Sequence, residues 1–233
     1  MNKDNFIKEI SKINITITEE QLQKLDKYYK LLVEENKKYN LTNITNEEDV
    51  YLKHFYDSLT LVKGIELDNQ YICDIGTGAG FPGMVLKILY PNLKIDLLDA
   101  TTKKCSFLNL VIKELSLKSI NVINARAEDY AKNNREKYDV VVSRAVASLK
   151  YLLEYGIPLL KVNGTFIALK ANLNKELENI DNYYKKLALS DEKILTLKLP
   201  YENSNRTIYM VTKTEKTNKI YPRQYSQIKK HEI

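Results

Sequence analysis

The chain has 233 residues, of which 44% are hydrophobic and 28% charged, with two cysteines and seven glycines. That suits a mid-sized domain able to bury its own core, and it excludes an intrinsically disordered chain. Net charge is +6, but residues 213–233 hold six basic residues against two acidic ones, a net of +4 that leaves +2 for the rest.

The first 60 residues read as helices. Thr18 and Gln21 form a capping box, after which Leu22, Leu25, Tyr29, Leu32 and Val33 line one face. Asn46 caps a further helix carrying Val50, His54, Phe55 and Leu59. From about residue 70 strands alternate with helices. The predicted strands are 71–75, 94–99, 120–124, 138–143 and 164–170, with helices over 82–90, 102–117, 149–160 and 173–187 between and after them. Two closing strands, 193–199 and 206–213, lack a helix between them and predict an antiparallel edge. The alternation predicts an α/β fold around a mostly parallel seven-stranded sheet. By analogy this is the Rossmann-like, class I architecture common to many methyltransferases. The expected organisation is an N-terminal helical extension (1–64), a cofactor-binding domain (65–213) and a basic C-terminal tail (214–233).

Cys73 and Cys105 are isolated, and no Cys/His group has zinc spacing, so no metal is expected. Such cysteine use fits a reducing compartment, hence the cytoplasm. Met1-Asn2-Lys3-Asp4-Asn5 carries no signal-peptide core, and no apolar stretch approaches the roughly 18–20 residues of a membrane span. The basic C-terminal segment suggests an anionic partner, with a merely solvated tail as the alternative.

Four of the seven glycines, Gly76, Gly78, Gly80 and Gly83, fall in Asp74-Ile-Gly-Thr-Gly-Ala-Gly-Phe-Pro-Gly83, between a strand and a helix. An α/β sheet places its ligand there, and glycine lets the backbone approach it. Met84 follows Gly83, which excludes a Walker-type phosphate loop. Gly78 to Gly83 fits the dinucleotide pattern, but its first glycine lies far from the strand end and Asp74 stands before it. A carboxylate there suits a cationic amino group and a sulfonium, as in S-adenosylmethionine, better than a pyrophosphate. Asp99 ends the second strand and is placed to accept ribose hydroxyls, and Glu128 follows the third.

Missing motifs narrow the methyl acceptor. Ser143-Arg144-Ala145-Val146 stands where amino-directed enzymes carry Asn/Asp-Pro-Pro-aromatic, and neither cysteine has the Pro-Cys or Thr-Cys setting of a pyrimidine C5 nucleophile. Lys170 could belong to a ribose-methylating tetrad, but that tetrad's fourth-strand aspartate is absent. Guanine N7 has a free lone pair and needs no deprotonation.

Together these residues resemble the bacterial small-subunit rRNA (guanine-N7) methyltransferase family, also called glucose-inhibited division protein B. The resemblance rests on Tyr39-Asn40-Leu41-Thr42, His54 with Asp57-Ser58, the loop 74–83, Lys103-Lys104 with Phe107-Leu108, Ala127-Glu128, Ser143-Arg144-Ala145, Ala147-Ser148-Leu149 and Ala168-Leu169-Lys170. It implies S-adenosylmethionine as cofactor and 16S rRNA or the small ribosomal subunit as partner. It implies cofactor contacts at Gly76, Phe81, Ala127, Glu128 and Arg144, to which the residue argument adds Asp74, Gly78, Gly80 and Asp99. Candidate RNA contacts are Asn40, His54, Lys103, Lys104, Arg223, Lys229 and Lys230. The chain departs from the family's pattern at Asp99-Ala100-Thr101, at Ala171 and after Tyr221-Pro222-Arg223, where Gln224 to Lys230 lacks glycine and proline. Two other readings remain: methylation of a different RNA atom, and a ribosome-assembly protein that binds RNA without turnover.

Overall fold

The computed structural model describes the whole chain except residues 145, 146, 174, 175, 179, 231 and 232. After α1 (Lys3–Ser11), the capping pair starts α2 (Glu19–Tyr39): the Thr18 side chain accepts from Gln21 N, and Gln21 Oε1 accepts from Thr18 N. Asn40 ends it in the left-handed conformation, φ 51°. Leu25, Tyr28, Leu32 and Glu35 are the residues α2 buries. The sequence places Tyr29 on that face; the helical period brings Tyr28 to its centre instead, leaving Tyr29 half-buried with its hydroxyl on Thr45 O. Tyr28 stacks on Phe55, Phe81 and Phe107, and its hydroxyl donates to Ala79 O in the glycine loop. Asn46 caps α3 (Glu47–Asp49), which runs into a π-helical turn (Val50–Tyr56) and α4 (Asp57–Leu59).

The sheet holds β1 (Tyr71–Ile75), β2 (Lys94–Asp99), β3 (Ile120–Asn124), β4 (Tyr138–Arg144), β5 (Leu160–Lys170), β6 (Leu189–Lys198) and β7 (Asn205–Lys213), in the order β3-β2-β1-β4-β5-β7-β6. The first five run parallel, while β7 is antiparallel to both β5 and β6. β5 and β6 begin earlier than the sequence suggests because register shifts near Tyr138/Val140 and Ser190/Lys193 let pairing continue past an irregularity.

Strand side chains alternate between two cores. Ile72 joins Phe6, Leu25, Phe55 and Leu97 on one face; Cys73 joins Val141, Leu153, Phe166 and Val211 on the other. Between strands run α5 (Gly83–Leu89), α6 (Thr102–Glu114), α7 (Ala127–Asn133) and α8 (Leu149–Gly156).

Two expectations need correction. Of the helix expected over 173–187, the described residues form α9 (Asp181–Leu187), while 176–178 and 180 lie in turns and a bend. Glu176 bears on this: its carboxylate accepts from Leu149 N at the start of α8 and from Lys170 Nζ at the end of β5, which ties it to groups outside its own segment. The C-terminal segment is not a free solvated tail. Tyr221, Pro222, Ile228 and Ile233 are buried, and Arg135 donates to the carbonyls of Thr217, Asn218 and Tyr221 before α10 (Tyr225–Lys230) begins.

Candidate functional site

Strand order reverses beside β1, with β2 on one side and β4 on the other, which opens a crevice at their carboxyl ends. Two cavities meet there. The larger, about 570 Å³, lies between the glycine loop, the π-helical turn and the ends of β4, β5 and β7; it includes Thr42, His54, Asp57, Gly78, Phe81, Arg144, Lys170 and Arg206. The smaller, about 280 Å³, lies over β2 and β3 and includes Ala127, Glu128, Leu152 and Tyr155. Gly76, Asp99 and Lys104 line both.

The loop's shape follows from its residues. Gly80 has φ +107°, and an added Cβ would meet the Tyr28 hydroxyl at 2.6 Å, so only glycine lets α2 close over the loop. Gly78 has φ +63°, and a Cβ there would find nothing nearer than Gly76 O at 4.0 Å. That open space is room for a ligand against bare backbone.

Asp74 is fully buried and lines neither cavity. Its Oδ2 accepts from Thr77 Oγ1 (2.6 Å) and Gly83 N (2.8 Å), while Oδ1 has no partner. Burial pushes its carboxyl up to about 6. Asp74 therefore braces the loop from beneath, where the sequence suggested direct contact with a ligand. Gly80 is likewise buried behind the loop.

Asp99 is the shared wall of the two cavities. It accepts from Gly78 N (2.9 Å) and Thr101 N (2.8 Å), with Lys104 Nζ at 4.0 Å. A carboxylate offers about four acceptor positions, so roughly two remain for ligand hydroxyls. Glu128, 5% exposed, accepts from Arg126 Nε at 2.6 Å.

Arg144 organises the larger cavity. It donates to Lys53 O (2.9 Å), Asp57 Oδ2 (3.2 Å) and His54 Nδ1 (3.1 Å), and its guanidinium lies 5.1 Å from the centre of the Phe81 ring. Arg206 Nε donates to the other Asp57 oxygen at 2.9 Å. Asp57 thus joins two arginines from β4 and β7. His54 stacks on Phe81 at 4.2 Å. Because Arg144 can only donate, Nδ1 must accept, and the ring is the neutral tautomer whose Nε2–H donates to Thr42 Oγ1 (3.0 Å). Burial, then the Arg144 charge, holds His54 down at about 3.

A pH dependence follows. Unfolded His54 takes a proton near its ordinary 6.5 while folded His54 does not, so below that pH the unfolded state binds more protons and stability falls as pH falls. Between pH 6.5 and 5 the wild type should lose about 2 kcal/mol that His54→Gln retains. Denaturant titration of both proteins at several pH values checks this, and parallel curves would contradict it.

The structure brings together Gly76, Gly78, Phe81, Asp99, Ala127, Glu128, Arg144, His54 and Lys104 around the joined cavities. It sets the others apart. Asn40 and Lys103 are exposed and line neither. Arg223 is bound at both Nε and NH2 to Glu154, which is 0% exposed, so it anchors the tail and is not presented to a phosphate. Lys229 and Lys230 stand beside a separate hollow of about 190 Å³ with Lys150 and Tyr151. Ala145 lies outside the described residues. Sequence reasoning missed Arg206 and left Asp57 without a role.

A family model described as rRNA small subunit methyltransferase G matches residues 21–208. The chain belongs to this family. A ribosomal RNA small subunit methyltransferase G from Mesoplasma florum is 48% identical over 217 residues, covering 91% of this chain and 90% of that one. The protein of the same name from Lactobacillus helveticus is 42% identical over 232 residues, 96% of each chain. Two solved structures share the fold at low identity. The precorrin-6y C5,15-methyltransferase of Geobacter metallireducens has a TM-score of 0.53 at 16% identity, covering 73% of this chain and 90% of its own. A SAM-dependent methyltransferase of Aquifex aeolicus has a TM-score of 0.52 at 13% identity, covering 72% and 94%. Family members of similar length thus extend beyond the matched 21–208 into the C-terminal segment. No helix among the described residues is long and apolar enough to cross a membrane.

Proposed function

We propose that this chain transfers a methyl group from S-adenosylmethionine to N7 of a guanine in small-subunit (16S) ribosomal RNA, in the cytoplasm. The observation that carries the reading is the pair of cavities sharing Asp99 and Gly76, in a member of the rRNA small subunit methyltransferase G family. The residues present fit the cofactor. The open backbone at Gly78 admits a ligand, Asp99 offers acceptors to a ribose, and Glu128 with Ala127 borders the space for a base. When bound, S-adenosylmethionine supplies an electrophilic methyl group and departs as a neutral thioether.

Everything else falls to the chain. Guanine N7 attacks with its own lone pair and loses no proton, so the site must align the base and tolerate a cationic ring. In the larger cavity the two groups best placed to take a proton are already engaged. His54 has its basic nitrogen blocked by Arg144, and Asp57 is held by two arginines. Neither is free to act as a base, and a neutral His54 adds no positive charge against the product. The stacked Phe81 and His54 rings give the base a flat wall. We assign residues 1–64 the part of a roof, since Leu41, Thr42 and Ile44 together with Lys53, His54 and Asp57 line this cavity.

Lys170 speaks against ribose methylation. Its ammonium is held by Ala147 O and both oxygens of Glu176, so Lys170 is not free to draw a proton from a hydroxyl. The test uses purified protein, methyl-labelled cofactor and small subunits from cells lacking the gene. Digested RNA should yield labelled N7-methylguanosine; label on a 2′-hydroxyl or an exocyclic amine would refute the reading.

A further inference from the structure

The C-terminal segment, whose charge suggests a meeting with an anion, packs behind the wall of the smaller cavity, against Arg126. Its course is fixed by Glu154, which accepts from Arg223 N as well as from the Arg223 guanidinium. Two residues later Tyr225 lies with its ring 5.4 Å from the Arg126 guanidinium carbon and 6.0 Å from the Tyr151 ring. Both contacts lead to the cavity. Arg126 grips Glu128 at 2.6 Å, and Tyr151 stacks on Tyr155 at 6.4 Å with the rings 15° apart. Glu128 and Tyr155 both line the cavity.

The Arg126 side chain is 56% exposed. A side chain so open to solvent loses considerable rotamer freedom when held in one geometry. An aromatic face over the guanidinium offsets that loss through cation–π attraction and contact with the apolar stem.

We infer that Tyr225 is a positioning residue for the nucleoside end of the cofactor, acting by stacking on Arg126 and so fixing the Arg126–Glu128 pair. The inference rests on the reading above that the smaller cavity receives that nucleoside. It gives the C-terminal segment a purpose distinct from phosphate binding: the segment supports the cofactor wall from behind through Arg126, and its charge is incidental to that.

A cation–π contact at an exposed site corresponds to roughly a twofold to fivefold change in affinity. Tyr225→Ala should therefore weaken S-adenosylhomocysteine binding by about that factor, and Tyr225→Phe, which keeps the ring, should bind like the wild type. Tyr225 is 45% exposed, so its loss should leave the thermal midpoint nearly unchanged. The experiment is calorimetric titration of full-length wild type, Tyr225→Ala, Tyr225→Phe and Glu128→Ala with S-adenosylhomocysteine. It is paired with small-subunit binding in the absence of cofactor. Support is weaker cofactor binding in Tyr225→Ala alone of the two Tyr225 variants, with subunit binding unchanged. If Glu128→Ala loses affinity while Tyr225→Ala does not, the inference falls and the cavity reading stands. If Tyr225→Ala weakens only subunit binding, the residue belongs to an RNA surface and the inference falls. If Glu128→Ala binds normally, the cavity reading fails and takes the inference with it.

Discussion

Replacing Asp99 with alanine should reduce affinity for S-adenosylhomocysteine about a hundredfold or more, because charge-assisted hydrogen bonds contribute about 1.5–3 kcal/mol each and two are forfeited. Two effects combine. The acceptors left over for ribose hydroxyls vanish, and Gly78 N and Thr101 N lose the carboxylate that holds them at 2.9 and 2.8 Å. The loop wall between the cavities is then free to relax into the space the ligand needs. Asp99→Asn keeps the volume but must turn its amide nitrogen toward one of those two N–H donors, so it should be nearly as damaging. Calorimetry measures the affinity, and an unchanged thermal midpoint would separate lost binding from lost fold. Wild-type affinity in either variant would remove Asp99 from the cofactor site.

The second large effect concerns stability. Arg144→Ala should cost about 3–5 kcal/mol, the usual result of stripping one partner from a buried charge pair. For a chain of this size that lowers the thermal midpoint on the order of 10 °C. Asp57 would keep only Arg206, Lys53 O would lose its donor, and His54 Nδ1 would be left facing an empty volume. Arg144→Lys should recover part of the stability without recovering methyl transfer. One ammonium cannot reproduce the planar fork that reaches Lys53 O, Asp57 and His54 together and still lies across Phe81. Thermal unfolding and a methyl-transfer assay on the two variants check this. Equal midpoints for wild type and Arg144→Ala would show that the network contributes little.

The contrast between these two residues marks what could be read from sequence. Asp99 and the glycine loop were legible because their signals are local. A strand ends in an acid, glycines gather where backbone must approach a ligand, and a helix follows at once. The bounds of β1, β2 and β3 could be read for the same reason. Arg144 was reached by resemblance, and its strand-end position agreed. Arg206 left no trace, since its partner Asp57 lies 149 residues earlier and only the antiparallel edge hairpin brings the two together. Tyr28 was mistaken for its neighbour because two adjacent tyrosines fit one helical stripe almost equally well. The stacks of Tyr28 on Phe55, Phe81 and Phe107 and the loop carbonyl it reaches, 51 residues on, separate them.

The packing of the C-terminal segment was not legible for a different reason. A charge count gives the number of cations but not their direction. Lys213 turns inward to Leu160 O, with burial holding its ammonium down at about 8, and Arg223 turns to Glu154. Two of the six basic residues are thus committed inside the fold. The helix expected over 173–187 failed similarly. Its residues have helical periodicity, but Glu176 is claimed by Lys170 and Leu149 N, groups that a single-segment reading does not see.

The most direct test of the account maps methylation in 16S rRNA from cells with the gene, without it, and without it but carrying either the wild-type gene or Asp99→Ala. The account predicts one N7-methylguanosine that disappears on deletion and returns with the wild-type gene but not with the variant. Unchanged N7 methylation after deletion would contradict it.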